Sequence, residues 1–202
     1  MLKDRLWITE SENSNGYTFY FESLGLNNDD YSKIKDIIRY FVRGEEIFFG
    51  HYRTDGMNIS KEDFIKYGLE IPQYFKSNGR YDKIIKGKEK KFLFFKSEPW
   101  ALTVCSAPTN NETYKIMDKI FHYYLETTVF CPKIDWETFV NEYSNYMSNA
   151  TRDYVAKGYT DFLFAYVDSG DFSITFDSKR HDPLSVKNDI FKILELDEDG
   201  NL

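Results

Sequence analysis

The residues in this chain that could do chemistry are few and far apart. Its histidines are His51, His122 and His181, and its two cysteines, Cys105 and Cys131, lie 26 positions apart. None has the HExxH or C-x2-C spacing that gathers imidazoles or thiolates around a metal. The closest approach to a catalytic cluster is His51-x-Arg53-x-Asp55. With Glu46–Arg53 as a strand, His51 and Arg53 share one face at its end, where active sites often sit. Cys105 closes another apolar run, and the helix start beyond SAPTN would acidify a nearby thiol. An enzyme reading therefore needs His51, Arg53 and Cys105 to converge in space. Turn chemistry at Asp55-Gly56 and a structural thiol at Cys105 explain the same residues without catalysis. No C-x5-R cradle, GxGxxG, Walker loop or GxSxG elbow is present. The tip Asp168-Ser169-Gly170-Asp171 lacks the further carboxylates that calcium requires. No cofactor and no metal is expected.

Two stretches have the composition of a contact surface. Residues 76–96 hold Lys76, Arg80, Lys83, Lys86, Lys88, Lys90, Lys91 and Lys96 against Asp82 and Glu89, eight cations to two carboxylates and a local charge of +6. The net charge of -7 leaves about -13 for the rest of the chain. Interleaved Tyr81, Phe92 and Phe94 give the basic-plus-aromatic mix that binds phosphate backbones or acidic proteins. Lysines that guard the open edge of a sheet account for the same run. The second stretch is an amide ladder, Asn141, Asn145 and Asn149 with Arg152 beside it, on one face of an expected helix. Asparagine is a poor helix former, so the ladder reads as a hydrogen-bonding surface or as a solvated face. The candidate partner-binding residues are Lys86, Lys88, Lys90, Lys91, Asn141, Asn145, Asn149 and Arg152.

The elements that must position these residues follow from periodicity. The clearest is the pair YTDFLFAYV and DFSITFD, joined by Asp168-Ser169-Gly170. Period-two alternation puts Phe162, Phe164 and Tyr166 on one side of the first strand and Phe172, Ile174 and Phe176 on one side of the second. A two-residue loop would split this aromatic face, so a three-residue loop is predicted, pairing Phe164 with Ile174. The N-terminus forms a hairpin through SENSNG. A helix follows from Asn28 or Asp29 to about Arg43, then a strand over Glu46–Tyr52. A short helix runs from Lys61 to about Leu69, with Pro72 blocking continuation. Strands over 91–96 and 100–105 come next. A helix capped by Thr109 precedes the longest one, which Asp135 caps and Gly158 ends. After the aromatic hairpin, Asp182 and Pro183 open a last helix.

This order predicts an α+β fold with a largely antiparallel sheet of about six to seven strands and amphipathic helices packed on it. One domain over residues 1–202 is expected, with a sub-boundary near 106–110 and an acidic tail at 197–202. At 42% hydrophobic and 18% aromatic residues, the chain has enough apolar surface for a proper core. Two cysteines make no disulfide framework, and no run reaches the length of a membrane span, so a cytoplasmic location is expected. Abundant Lys, Ile, Asn, Tyr and Phe suit an AT-rich bacterial or phage genome. An acidic chain without a catalytic constellation favours a non-enzymatic protein-binding or inhibitor-type role, as in small bacterial immunity proteins. Its partner is then another, cationic protein. Nucleic acid or a phosphate ligand on the lysine-rich segment is the alternative.

Overall fold

The computed structural model describes residues 6–23, 28–52, 60–86, 90–92, 95–97, 100–124, 126–144, 153–167 and 171–195. Eight strands form one antiparallel sheet in the order β1-β2-β10-β9-β8-β3-β7-β4. They are β1 (Leu6–Asn13), β2 (Gly16–Ser23), β3 (Glu46–Tyr52), β4 (Arg80–Lys86), β7 (Trp100–Pro108), β8 (Glu126–Phe130), β9 (Phe162–Val167) and β10 (Phe172–Phe176). A separate hairpin joins β5 (Lys90–Phe92) to β6 (Phe95–Ser97). The helices are α1 (Asn28–Phe41), α2 (Lys61–Asn78), α3 (Asn111–Tyr123), α4 (Trp136–Ser144) and α5 (Pro183–Leu194).

The aromatic hairpin has the register that its alternation requires, with Phe162 opposite Phe176, Phe164 opposite Ile174 and Tyr166 opposite Phe172. Phe164 and Ile174 are buried, and their side of the sheet is shared with Phe19, Phe21, Phe49 and Val129. Onto that side pack Ile34, Ile37 and Ile38 of α1, Met117 and Ile120 of α3, and Ile190 and Leu194 of α5. The opposite side carries a smaller core. There Phe48, Leu102, Val104, Phe130 and Leu163 meet Phe139 and Tyr143 of α4, together with Tyr154 and Val155. The three-residue tip 168–170 lies outside the described residues. The N-terminal hairpin turns through Ser14-Asn15, and the φ of +138° at Gly16 is open to glycine and strained for any other residue.

Four expectations need correction. The large sheet has eight strands: β4 and β8 (ETTVF, which follows α3 directly) join it, while the expected strand over 91–96 falls in the separate β5-β6 hairpin. Helix α2 passes through Pro72 to Asn78. Proline inside a helix costs about 3 kcal/mol, but Ile71 just before it and Phe75 just beyond it are both buried, each contributing roughly 1.5–3 kcal/mol. Burial wins, and α2 is the longest helix among the described residues. The helix capped by Asp135 is described over Trp136–Ser144, and 153–158 form turns rather than its continuation to Gly158. Finally, Asn110 rather than Thr109 caps α3, its side chain accepting from the Thr113 N–H at 2.9 Å.

Candidate functional site

Sheet order brings His51 to Cys105. Thr103 lies opposite His51 in β7, two residues before Cys105, and Thr127 lies opposite His51 in β8. Alternation points His51, Thr103 and Thr127 toward the side that α1, α3 and α5 cover, with Phe49, Cys105 and Val129. The imidazole stacks on Tyr124, with ring centroids 4.1 Å apart and planes 6° from parallel. Its Nδ1 is 3.1 Å from Thr127 Oγ1 and its Nε2 is 3.3 Å from Cys105 Sγ. His51 and Cys105 are both at 0% exposure.

A histidine beside a cysteine is the arrangement of a thiolate nucleophile, and that chemistry requires charge. Burial here works against charge on both groups. It pushes the His51 imidazole down to about 3 and the Cys105 thiol well above its usual range. Tyr124 is raised by the same burial. The neutral imidazole donates from one nitrogen and accepts at the other, which suits the hydroxyl and thiol it touches. The cluster is an uncharged polar seam inside the core. Arg53 and Asp55, the other members of the predicted catalytic set, lie outside the described residues.

The lysine-rich run divides between two places. Arg80 and Lys83 stand exposed on β4, the terminal strand of the large sheet, and Lys86 ends that strand. Lys90 and Lys91 belong to β5, paired with β6 and not with the large sheet. Lys88 is outside the described residues. The placement of Arg80, Lys83 and Lys86 on the terminal strand fits the lysine-guard reading for that part of the run. Asn141 is exposed on α4, whereas Asn145, Asn149 and Arg152 are outside the described residues.

What sequence reasoning missed is the uneven cover of the sheet. On the side occupied by α4, one row of cross-strand neighbours reads Thr9, Tyr20, Ser173, Ala165, Thr128, Gly50, Val104. The next reads Ser11, Thr18, Thr175, Leu163, Phe130, Phe48. The apolar ends of these rows lie under Phe139 and Tyr143 of α4. Among the described residues the β1-β2-β10 end is a hydroxyl-bearing platform on which Thr9 and Tyr20 are exposed, Ser11, Ser173 and Thr175 half-buried and Thr18 buried. Thr18 and Thr175 share a hydrogen bond of 3.0 Å, and Tyr20 stands 39% exposed among them. Its opposite side is anchored in the main core through Phe19, Phe172, Ile174 and Phe176. The platform is therefore held rigidly from below.

A concavity lies at the sheet end where β3 starts, β8 ends and β9 starts. It encloses about 540 Å³, with Phe41, Ile134 and Phe162 among its walls and Cys131, Asp161 and His181 among its polar groups. Asp161 accepts from Lys133 at 2.6 Å and Arg180 at 3.3 Å. Burial alone would raise its carboxyl, but the Lys133 and Arg180 bonds hold it below the usual range. Cys131 is half-buried, and burial together with the Asp161 charge pushes its thiol up. Among the described residues no three His, Cys, Asp or Glu side chains are grouped to hold a metal ion, and no helix is long and apolar enough to cross a membrane.

Comparison with protein-family models, with curated proteins and with solved structures returns no match to this chain.

Proposed function

We propose that this protein is a non-enzymatic binding protein that covers a protein partner with the preformed β1-β2-β10 platform. The observation that carries this reading is the contrast between the two ends of one sheet side. Apolar side chains under α4 give way to Thr9, Ser11, Thr18, Tyr20, Ser173 and Thr175 beyond it. Tyrosine supplies wide contact area at low entropic cost, and hydroxyls supply adaptable hydrogen bonds, which is the composition of a recognition surface. The rigid sheet beneath spares the ordering cost that a loop would incur on binding.

The partner's charge follows from the chain's own. A net -7, and about -13 outside residues 76–96, favours a cationic protein partner over an anionic one. This is the working mode of immunity and inhibitor proteins, which act by occlusion.

A photo-crosslinking residue at position 20 tests the reading, with a second at the exposed Lys192 on α5 as control. The expected result is one cationic protein crosslinked from position 20 only, and lost with Ser173→Arg. Crosslinking to no protein, or equal crosslinking from both positions, overturns it.

A further inference from the structure

Helix α2 buries one face and leaves a second apolar stripe in water. Ile71 and Phe75 are inside the core, whereas Ile65 is 57% and Leu69 68% exposed. Leu69 is the most exposed large apolar side chain among the described residues. At about 100° per residue, Glu62, Ile65, Leu69, Gln73 and Lys76 fall within roughly 80° of arc, on the side away from Ile71. All five are exposed.

The charges on this stripe select its occupant. Glu62 lies seven residues before Leu69 and Lys76 seven residues after it. Each is therefore about 10 Å from Leu69 along the helix. A two-fold axis through Leu69 that lays α2 antiparallel to the α2 of a second copy sets Glu62 of each chain level with Lys76 of the other. Leu69 then meets its own counterpart on the axis, and Ile65 packs beside it. The acidic first turn, Glu62 and Asp63, comes to the basic last turn, so the helix dipoles oppose favourably as well.

The other charges on the helix do not clash in this arrangement. About the same axis Lys61 stands level with Ser77, and Lys66 with Pro72. Glu70, already paired with Lys119, stands level with Gly68. Within its own chain Lys76 has the Tyr81 ring beside it, 5.3 Å from the centroid. An ammonium has three donors, and a carboxylate can join that contact without displacing it.

We propose that α2 is the contact of a weak symmetric dimer, with two copies packed antiparallel across Leu69 and a Glu62–Lys76 pair at either end. Such an isologous contact closes at two copies. One helix pair falls short of the roughly 800 Å² per partner of a standard interface, so dissociation is expected at about 10–100 μM. α2 packs on the main-core side of the sheet, opposite the platform, so neither proposal rests on the other.

Sedimentation equilibrium of the full chain, from low micromolar to near-millimolar concentration, tests the proposal. The wild type is expected to move from monomer to dimer and no further. Leu69→Asp should remove the dimer and leave the thermal midpoint within a few degrees. Glu62→Lys and Lys76→Glu each put like charges at both ends, and each alone should weaken the dimer about threefold or more. An equimolar mixture of these two variants should regain the wild-type affinity, because the mixed pair has one cation and one carboxylate at either end. Misfolded chains would not recover on mixing, so the mixture separates contact from fold. A wild type that stays monomeric, a dimer that survives Leu69→Asp, or a mixture no tighter than its components overturns the proposal.

Discussion

The Sγ of Cys105 lies 3.3 Å from Nε2 of His51, and both side chains are sealed from solvent. Burial of the His51 ring makes the stability of the fold sensitive to acid. In the folded chain the imidazole is neutral down to about pH 3, against an ordinary value of 6.5. The unfolded chain therefore binds a proton below pH 6.5 that the folded chain refuses. His51 takes nothing from stability above pH 6.5. Its penalty grows as pH falls from 6.5 to about 3, then levels off, reaching on the order of 3–5 kcal/mol at 1.4 kcal/mol per unit. Urea midpoints measured from pH 7 to pH 4 should fall more steeply for the wild type than for His51→Phe, by about one proton. Parallel curves would sink this account.

The two thiols differ in the same terms. Cys105 is fully buried and its pKa is pushed far up, whereas Cys131 is half-buried and raised less severely. A disulfide-exchange reagent at pH 8 should titrate one thiol slowly in the native protein and two in denaturant. Mass spectrometry should place the native label on Cys131. Rapid native labelling of Cys105 would mean that the seam around His51 opens to solvent.

Elements with one strong period were legible in the sequence. Phe162, Phe164 and Tyr166 face Phe176, Ile174 and Phe172 because any slip would send every ring into water. β8 was not, since its ETTVF continues straight from the apolar positions of α3 and has no turn residues to set it apart. His51 and Cys105 were both visible as candidates, but their pairing depends on β3 lying beside β7, which no local pattern encodes. The platform was hidden for a related reason. Thr18, Tyr20, Ser173 and Thr175 read as ordinary solvent-side residues until strand order puts β2 beside β10. The concavity draws on residues near positions 43, 133, 161 and 181, which only the closed sheet assembles.

Strand β4 ends the sheet, and Lys83 is exposed on it. An unpaired edge is a template for another chain, and a lysine there makes pairing costly by forcing its charge into the join. Lys83→Val should leave the thermal midpoint within a few degrees. It should also produce concentration-dependent association, visible by sedimentation or light scattering. A variant that stays as monodisperse as the wild type would remove the guard role and return the lysine-rich run to candidate binding surfaces.

Gly50 sits in β3 directly under the Tyr143 ring of α4, and a Cβ at this position would overlap the ring carbons and hydroxyl. That contact seats α4 on the β7-β3-β8 part of the sheet, where Phe48, Phe130 and Phe139 complete the smaller core. Gly50→Ala should cost about 1–3 kcal/mol through overpacking, with the loss appearing mainly as faster unfolding. Tyr143→Leu shortens the side chain and should absorb part of that loss, so the double variant should be more stable than the two single losses sum to. Urea denaturation of all four proteins gives the coupling energy. Strict additivity would show that Tyr143 does not rest on Gly50, and the boundary between the α4-covered sheet and the platform would have to be redrawn.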